Sequence, residues 1–126
     1  MIILLSYLIS LTLSAITVEG NKLIVTDPDS NSLKYGSLSG HETATSCEIT
    51  STTQVTIGQQ TFQALTALTQ ATITAPKVTL DQQAFQQSGN SGSIIINATE
   101  TVTIGKDAFI SATLGGIEIY AGQDIK

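Results

Sequence analysis

Apolar and polar residues alternate through four short stretches of the chain: Cys47-Glu48-Ile49-Thr50, Ala71-Thr72-Ile73-Thr74, Ile94-Ile95-Ile96-Asn97 and Ile117-Glu118-Ile119-Tyr120. A period of two marks a half-buried strand. Cys47, Ala71, Ile94 and Ile117 form one inward column, and Ile49, Ile73, Ile96 and Ile119 the next. A slip of one residue would turn every one of those isoleucines outward, so the alternation also sets the register. Outward positions are then Glu48, Thr50, Thr72, Thr74, Ile95, Asn97, Glu118 and Tyr120.

A second block follows each stretch. Val55-Thr56-Ile57-Gly58-Gln59-Gln60-Thr61-Phe62 recurs 23 residues on as Val78-Thr79-Leu80-Asp81-Gln82-Gln83-Ala84-Phe85, and 24 further on as Val102-Thr103-Ile104-Gly105-Lys106-Asp107-Ala108-Phe109. Ile125 opens a fourth copy. The block adds the inward columns Val55/Val78/Val102/Ile125, Ile57/Leu80/Ile104 and Phe62/Phe85/Phe109. About five buried side chains per unit contribute on the order of 10 kcal/mol gross. Ordering each residue costs about 1.5 kcal/mol, so one unit cannot stand alone and its neighbours must complete the core. The expected fold is therefore a mainly β repeat solenoid, right-handed, with one parallel sheet.

Boundaries follow from the same pattern. The coils span 47–70, 71–93, 94–116 and a partial 117–126. Residues 21–46 read as a degenerate N-terminal cap, in which Leu33, Tyr35 and Gly36 match Val55, Ile57 and Gly58 in spacing and Gly40 falls where Phe should stand. Residues 1–20 read as a signal peptide, with a retained anchor and a first buried strand as rival readings, because Met1 to Val18 carries no charged side chain. Residues 117–126 leave an open apolar edge, which points to a truncated member of a longer repeat protein or to self-association there.

The block Ile73-Thr74-Ala75-Pro76-Lys77-Val78-Thr79-Leu80-Asp81-Gln82-Gln83-Ala84-Phe85 and its echo at 102–109 resemble the BspA-like leucine-rich repeat family. That family's unit is a short strand, often a Pro, then Val-x-x-Ile-Gly-x-x-Ala-Phe and a variable return. The resemblance covers about residues 47–126. Asp81 departs from it, standing where the other units have Gly58 and Gly105. The return after Phe carries Leu65 and Leu68 in the first unit, but Ser88-Gly89-Asn90-Ser91-Gly92, a flexible turn by composition, in the second. The resemblance implies a short leucine-rich-repeat-like solenoid that is secreted or displayed at the cell surface and binds an extracellular protein or glycan in adhesion.

Composition narrows the function classes. Net charge is −5, charged residues are 12%, Arg and Trp are absent, and Thr numbers 19, Ser 13 and Gln 10. Five scattered lysines do not build the basic patch that nucleic acid requires. One Cys and one His exclude a His/Cys zinc site, and no other metal site or cofactor motif stands out. A membrane role is expected only through the N-terminal segment, if it is not cleaved.

Individual side chains add little chemistry. Asn97-Ala98-Thr99 is an N-glycosylation sequon on an outward strand position. Asp27-Pro28-Asp29-Ser30-Asn31 starts like a calcium loop, but Ser32 and Leu38 replace the Gly and Glu such a loop needs, which leaves a turn. Cys47 reads as a small core hydrophobe, with intermolecular pairing as the alternative. His41 reads as solvent-exposed. A non-functional fragment is one alternative; the other, a carbohydrate-cleaving solenoid, needs two carboxylates about 5–9.5 Å apart, and Glu48 and Glu118 lie about 14 Å apart at three strand steps. No catalytic residue is therefore expected, and the chain reads as a binding protein, not an enzyme. Binding of ice or crystals needs persistent Thr-x-Thr rows, and the Thr56/Thr79/Thr103 column is one Thr wide.

Overall fold

A computed structural model describes residues 15–28, 32–85, 92–110, 112 and 114–126. Among them are nine strands and no helix: β1 Ala15–Glu19, β2 Lys22–Thr26, β3 Ser32–Leu33, β4 Ser46–Thr50, β5 Gln54–Ile57, β6 Gln70–Leu80, β7 Gly92–Ile104, β8 Leu114–Ala121 and β9 Asp124–Ile125. One ladder runs β1-β2-β4-β6-β7-β8 and a second β3-β5-β6-β7-β9, with β6 and β7 long enough to belong to both. Every pairing is parallel except β1 with β2. The chain is a β-solenoid of about four turns.

The register is the one the alternation requires. Cys47 faces Ala71, Ala71 faces Ile94 and Ile94 faces Ile117, while Ile49, Ile73, Ile96 and Ile119 align likewise. Val55, Val78, Val102 and Ile125 form the next column, beside Ile57, Leu80 and Ile104. Parallel strands stack about 4.8 Å apart, so equivalent side chains must lie on one another. The rings of Phe62, Phe85 and Phe109 do so, with centroids 5.1 Å apart and planes within 6° at both steps. A further column of small residues, Thr61, Ala84 and Ala108, is buried beside the rings, and the Thr61 hydroxyl donates to the Gly58 carbonyl at 2.8 Å. In the first return, Leu65 and Leu68 are buried as well. The corresponding Ser88–Ser91 stretch lies outside the described residues, and Gly92 opens β7.

Two local differences set the 23- and 24-residue spacings: a shorter corner in the second turn and a shorter return from Phe109 to Ile117, eight residues against nine from Phe62 to Ala71 and from Phe85 to Ile94. Three residues separate Thr50 from Gln54, Asn97 from Thr101 and Tyr120 from Asp124 at the corner between ladders, but only Ala75 and Pro76 separate Thr74 from Lys77. Pro76 sits at this register shift, where its missing N–H costs no ladder bond.

At Gly58 a Cβ would stand 2.6 Å from the Leu33 carbonyl oxygen, and at Gly105 it would stand 2.7 Å from that of Leu80. Both glycines donate their N–H to those oxygens at 2.6 Å, whereas Asp81 holds the same position with a longer bond, 2.9 Å, to Ile57. Two residues beyond each comes a left-handed residue: Gln60 (φ 54°), Gln83 (φ 58°) and Asp107 (φ 58°).

The cap differs from expectation. β2 is a full rung, with Leu23 opposite Cys47 and Val25 opposite Ile49. β3 pairs Leu33 with Ile57, not with Val55, so the spacing match read from the sequence is two residues out. In the true register Gly36 (φ 85°) takes the left-handed place of Gln60, buried Leu38 takes the place of Phe62, and Tyr35 is exposed. The cap is thus a turn in which Leu replaces Phe, and Gly40 does not interrupt the column. Of the segment read as a leader, residues 1–14 lie outside the described residues, and Ala15–Glu19 form β1. β1 runs against β2 and sets Ile16 opposite Val25 and Val18 opposite Leu23.

Phe85 is sandwiched between two rings and fully buried, whereas Phe109 is stacked on one side only. Phe85→Ala is expected to cost about 3–5 kcal/mol, a large share of the about 5–15 kcal/mol of a small domain, and Phe109→Ala less. Urea titration followed by far-ultraviolet circular dichroism compares them, and equal midpoints would remove the ring column from the core. Asp107→Gly relieves a left-handed backbone and is expected to stabilise by up to about 1 kcal/mol, whereas Asp107→Val destabilises in the same titration.

Candidate binding face

The outward side of the first ladder carries the eight residues singled out in the sequence, in two straight columns. Glu48, Thr72, Ile95 and Glu118 form one, and Thr50, Thr74, Asn97 and Tyr120 the other. Thr74, Glu118 and Tyr120 are exposed and the other five half-buried, as expected for side chains that flank one another across a flat sheet. Because β2 is a full rung, Ile24 extends the first column and Thr26 the second. This adds a ladder of Thr26, Thr50 and Thr74 that the sequence reading missed. The Leu23-Ile24-Val25-Thr26 echo of the strand block was its signal. The Thr row stops at Asn97, so it remains one residue wide and three long.

Electrostatics on the face are local. The Lys22 ammonium lies 2.6 Å from a Glu48 carboxylate oxygen, and this hydrogen bond and charge hold the lysine above its ordinary pKa. A shallow depression of about 160 Å³ opens between Lys22, Glu48, Gln70 and Thr72. At the other end, the Tyr120 hydroxyl donates to a Glu118 carboxylate oxygen at 2.7 Å, which raises the phenol's pKa. Both pairs are solvent-exposed and contribute little to stability. They orient a donor and an acceptor at the two ends of the face.

Thr72 and Ile95 stand between Glu48 and Glu118, which keeps the two carboxylates three strand steps apart. Asp81 lies at a turn, and Asp107 occupies the left-handed position of the next coil. Among the described residues no three His, Cys, Asp or Glu side chains gather to hold a metal ion.

The remaining candidates take structural places. Asp27 has a left-handed backbone (φ 43°), and its carboxylate accepts from the Thr52 N–H at 2.9 Å and the Thr52 hydroxyl at 3.2 Å. It ties one corner to the next. Residues 29–31 of the loop considered for calcium lie outside the described residues. His41 is half-buried, not fully exposed, and its carbonyl closes a turn by accepting from Ala44 at 3.0 Å. Asn97 points outward between Thr74 and Tyr120 in mid-strand, with Thr99 exposed at the corner beyond.

Cys47 is buried between Leu23 and Ala71, and loss of hydration pushes its thiol up to about 12. Below pH 9 the thiol is protonated whether the chain is folded or unfolded. Between pH 9 and about 12 only the unfolded chain ionises, so stability falls by about 1.4 kcal/mol per pH unit through that window. Denaturant titrations at pH 8 and 11 should show this loss for the native chain and a smaller one for Cys47→Ala. An aromatic disulfide reagent should label Cys47 only after denaturant is added.

No protein-family model matches the chain, and no curated protein or solved structure matches it.

Proposed function

We propose that this protein is a binding module of the BspA-like leucine-rich repeat kind, secreted or held at a cell surface, that engages an extracellular protein or glycan through the outward face of its first ladder. The observation that carries this reading is the pair of unbroken outward columns over β2, β4, β6, β7 and β8. They present Glu48, Thr50, Thr72, Thr74, Ile95, Asn97, Glu118 and Tyr120 on one plane with few charges and one aromatic ring. The segment read as a signal peptide, residues 1–20, would act in export, and Asn97 would carry a glycan where the cell glycosylates.

Magnitude decides the mode of binding. Five strands span about 19 Å at about 4.8 Å per step, and a five-residue strand is about 17 Å long. A face of this size is roughly 300 Å², well below the about 800 Å² per partner of a standard interface. One copy should therefore bind weakly, and useful avidity requires many copies on one surface. The alternative of a carbohydrate-cleaving solenoid is disfavoured by the three-step separation of Glu48 from Glu118, since that chemistry places its carboxylates about 5–9.5 Å apart.

The test is a binding screen of the immobilised protein against matrix proteins and glycans. Thr72→Lys with Thr74→Lys should leave the melting temperature close to that of the native chain, because both side chains face solvent. The same change should abolish capture of whichever ligand the native chain retains. Unchanged capture by the folded variant would move the site elsewhere.

A further inference from the structure

We propose that the depression between Lys22, Ser46, Glu48, Gln70 and Thr72 is a subsite for one neutral sugar ring, so that the ligand of the outward face is a glycan. The inference rests on the binding role proposed for that face and narrows it from protein or glycan to an uncharged carbohydrate.

The depression has its cause in the ladder. Lys22, Ser46 and Gln70 stack as one outward column beside the column of Ile24, Glu48 and Thr72. Ser46 is the short member, with a long side chain on the rung to either side and Glu48 two residues along its own strand. The space a longer residue at 46 would fill is left open, about 160 Å³. At about 30 Å³ per water it holds about five waters, a volume close to that of one hexose ring. Lys22, Ser46 and Gln70 thereby join the face.

Charge decides which class of ligand fits. Among the described residues the lining holds one cation and one anion, the Lys22 ammonium and the Glu48 carboxylate, and they compensate each other at 2.6 Å. The depression therefore favours neither an anion nor a cation. The pair holds the carboxylate in one orientation while both side chains stay open to solvent, at 44% and 40% exposure. The second carboxylate oxygen is left to accept from a hydroxyl. Among the described residues, the Ser46 hydroxyl, the Gln70 side-chain amide and the Thr72 hydroxyl enter no hydrogen bond within the chain. Two hydroxyls, an amide and a carboxylate thus surround one hollow, with donors and acceptors interspersed. A sugar ring, whose hydroxyls each donate and accept, is complementary to that set. A peptide side chain anchored by burial is not, because such an anchor needs a desolvated pocket and these walls are polar.

The test titrates the isotope-labelled full chain with methyl glycosides of glucose, galactose, mannose and N-acetylglucosamine, followed by nuclear magnetic resonance. At least one glycoside should shift the Gln70 side-chain amide signals saturably, and glucuronate, which carries a charge, should bind more weakly. Gln70→Ala should weaken that binding about threefold to tenfold, the loss of one neutral hydrogen bond. Ser46→Gln fills the hollow and should abolish it. Gln already occupies the same column in the next turn, so this variant should keep the native melting temperature. The exposed Gln70→Ala serves as the second variant if it does not. No shift with any of the four glycosides, shifts confined to other residues, or undiminished binding by folded Ser46→Gln would overturn the proposal. The wider reading fails separately. A matrix protein captured by the native chain and by Ser46→Gln, but not by Thr72→Lys with Thr74→Lys, would keep the face as a protein-binding surface and overturn the sugar subsite alone.

Discussion

The parallel ladder imposes one constraint on everything else in this molecule. Each residue is stacked on its equivalent in the turns before and after, about 4.8 Å away. A side chain therefore packs largely against copies of itself, and only residues that tolerate such self-contact can repeat inward. Ile, Val and Leu do so by interlocking, and Phe does so by parallel stacking at 5.1 Å. The small column of Thr61, Ala84 and Ala108 exists because the rings beside it occupy the space a larger side chain would need.

The same constraint explains where the repeat departs from its own rule. Turns must close at equal height, so corner lengths vary only where the ladder is interrupted, as at Pro76. Left-handed backbone recurs in every return at Gly36, Gln60, Gln83 and Asp107, although only the first is glycine. Stacking on the adjoining turns therefore outweighs the local preference of three residues. Gly58 and Gly105 are close-approach positions, whereas Asp81 shows that a side chain is accepted once the bond lengthens from 2.6 to 2.9 Å.

On the outward side the ladder does the opposite. No packing selects those residues, so their columns vary between Glu, Thr, Ile, Asn and Tyr along one straight line. A surface free to vary on a rigid frame is the physical basis for reading it as the place of recognition. Its small area, with Lys22 tied to Glu48 and Tyr120 tied to Glu118, sets the expectation of weak, multivalent contact.

The periodicity alone determined the solenoid, the inward columns from Cys47 to Ile125 and the division of the strand faces, because burial in a parallel stack writes the same alternation into every turn. It did not determine the register of the cap. The Leu33–Tyr35 spacing imitates Val55–Ile57, and only pairing of Leu33 with Ile57 shows that Leu38 fills the place of a phenylalanine. Nor did it mark the antiparallel β1, since Ile16 and Val18 lie within a mostly apolar segment that also reads as a leader, and their alternation acquires meaning only when Val25 and Leu23 lie opposite. Local pattern records which residues are buried. Which residues they are buried against is a long-range pairing, and the chain decides it only when it folds.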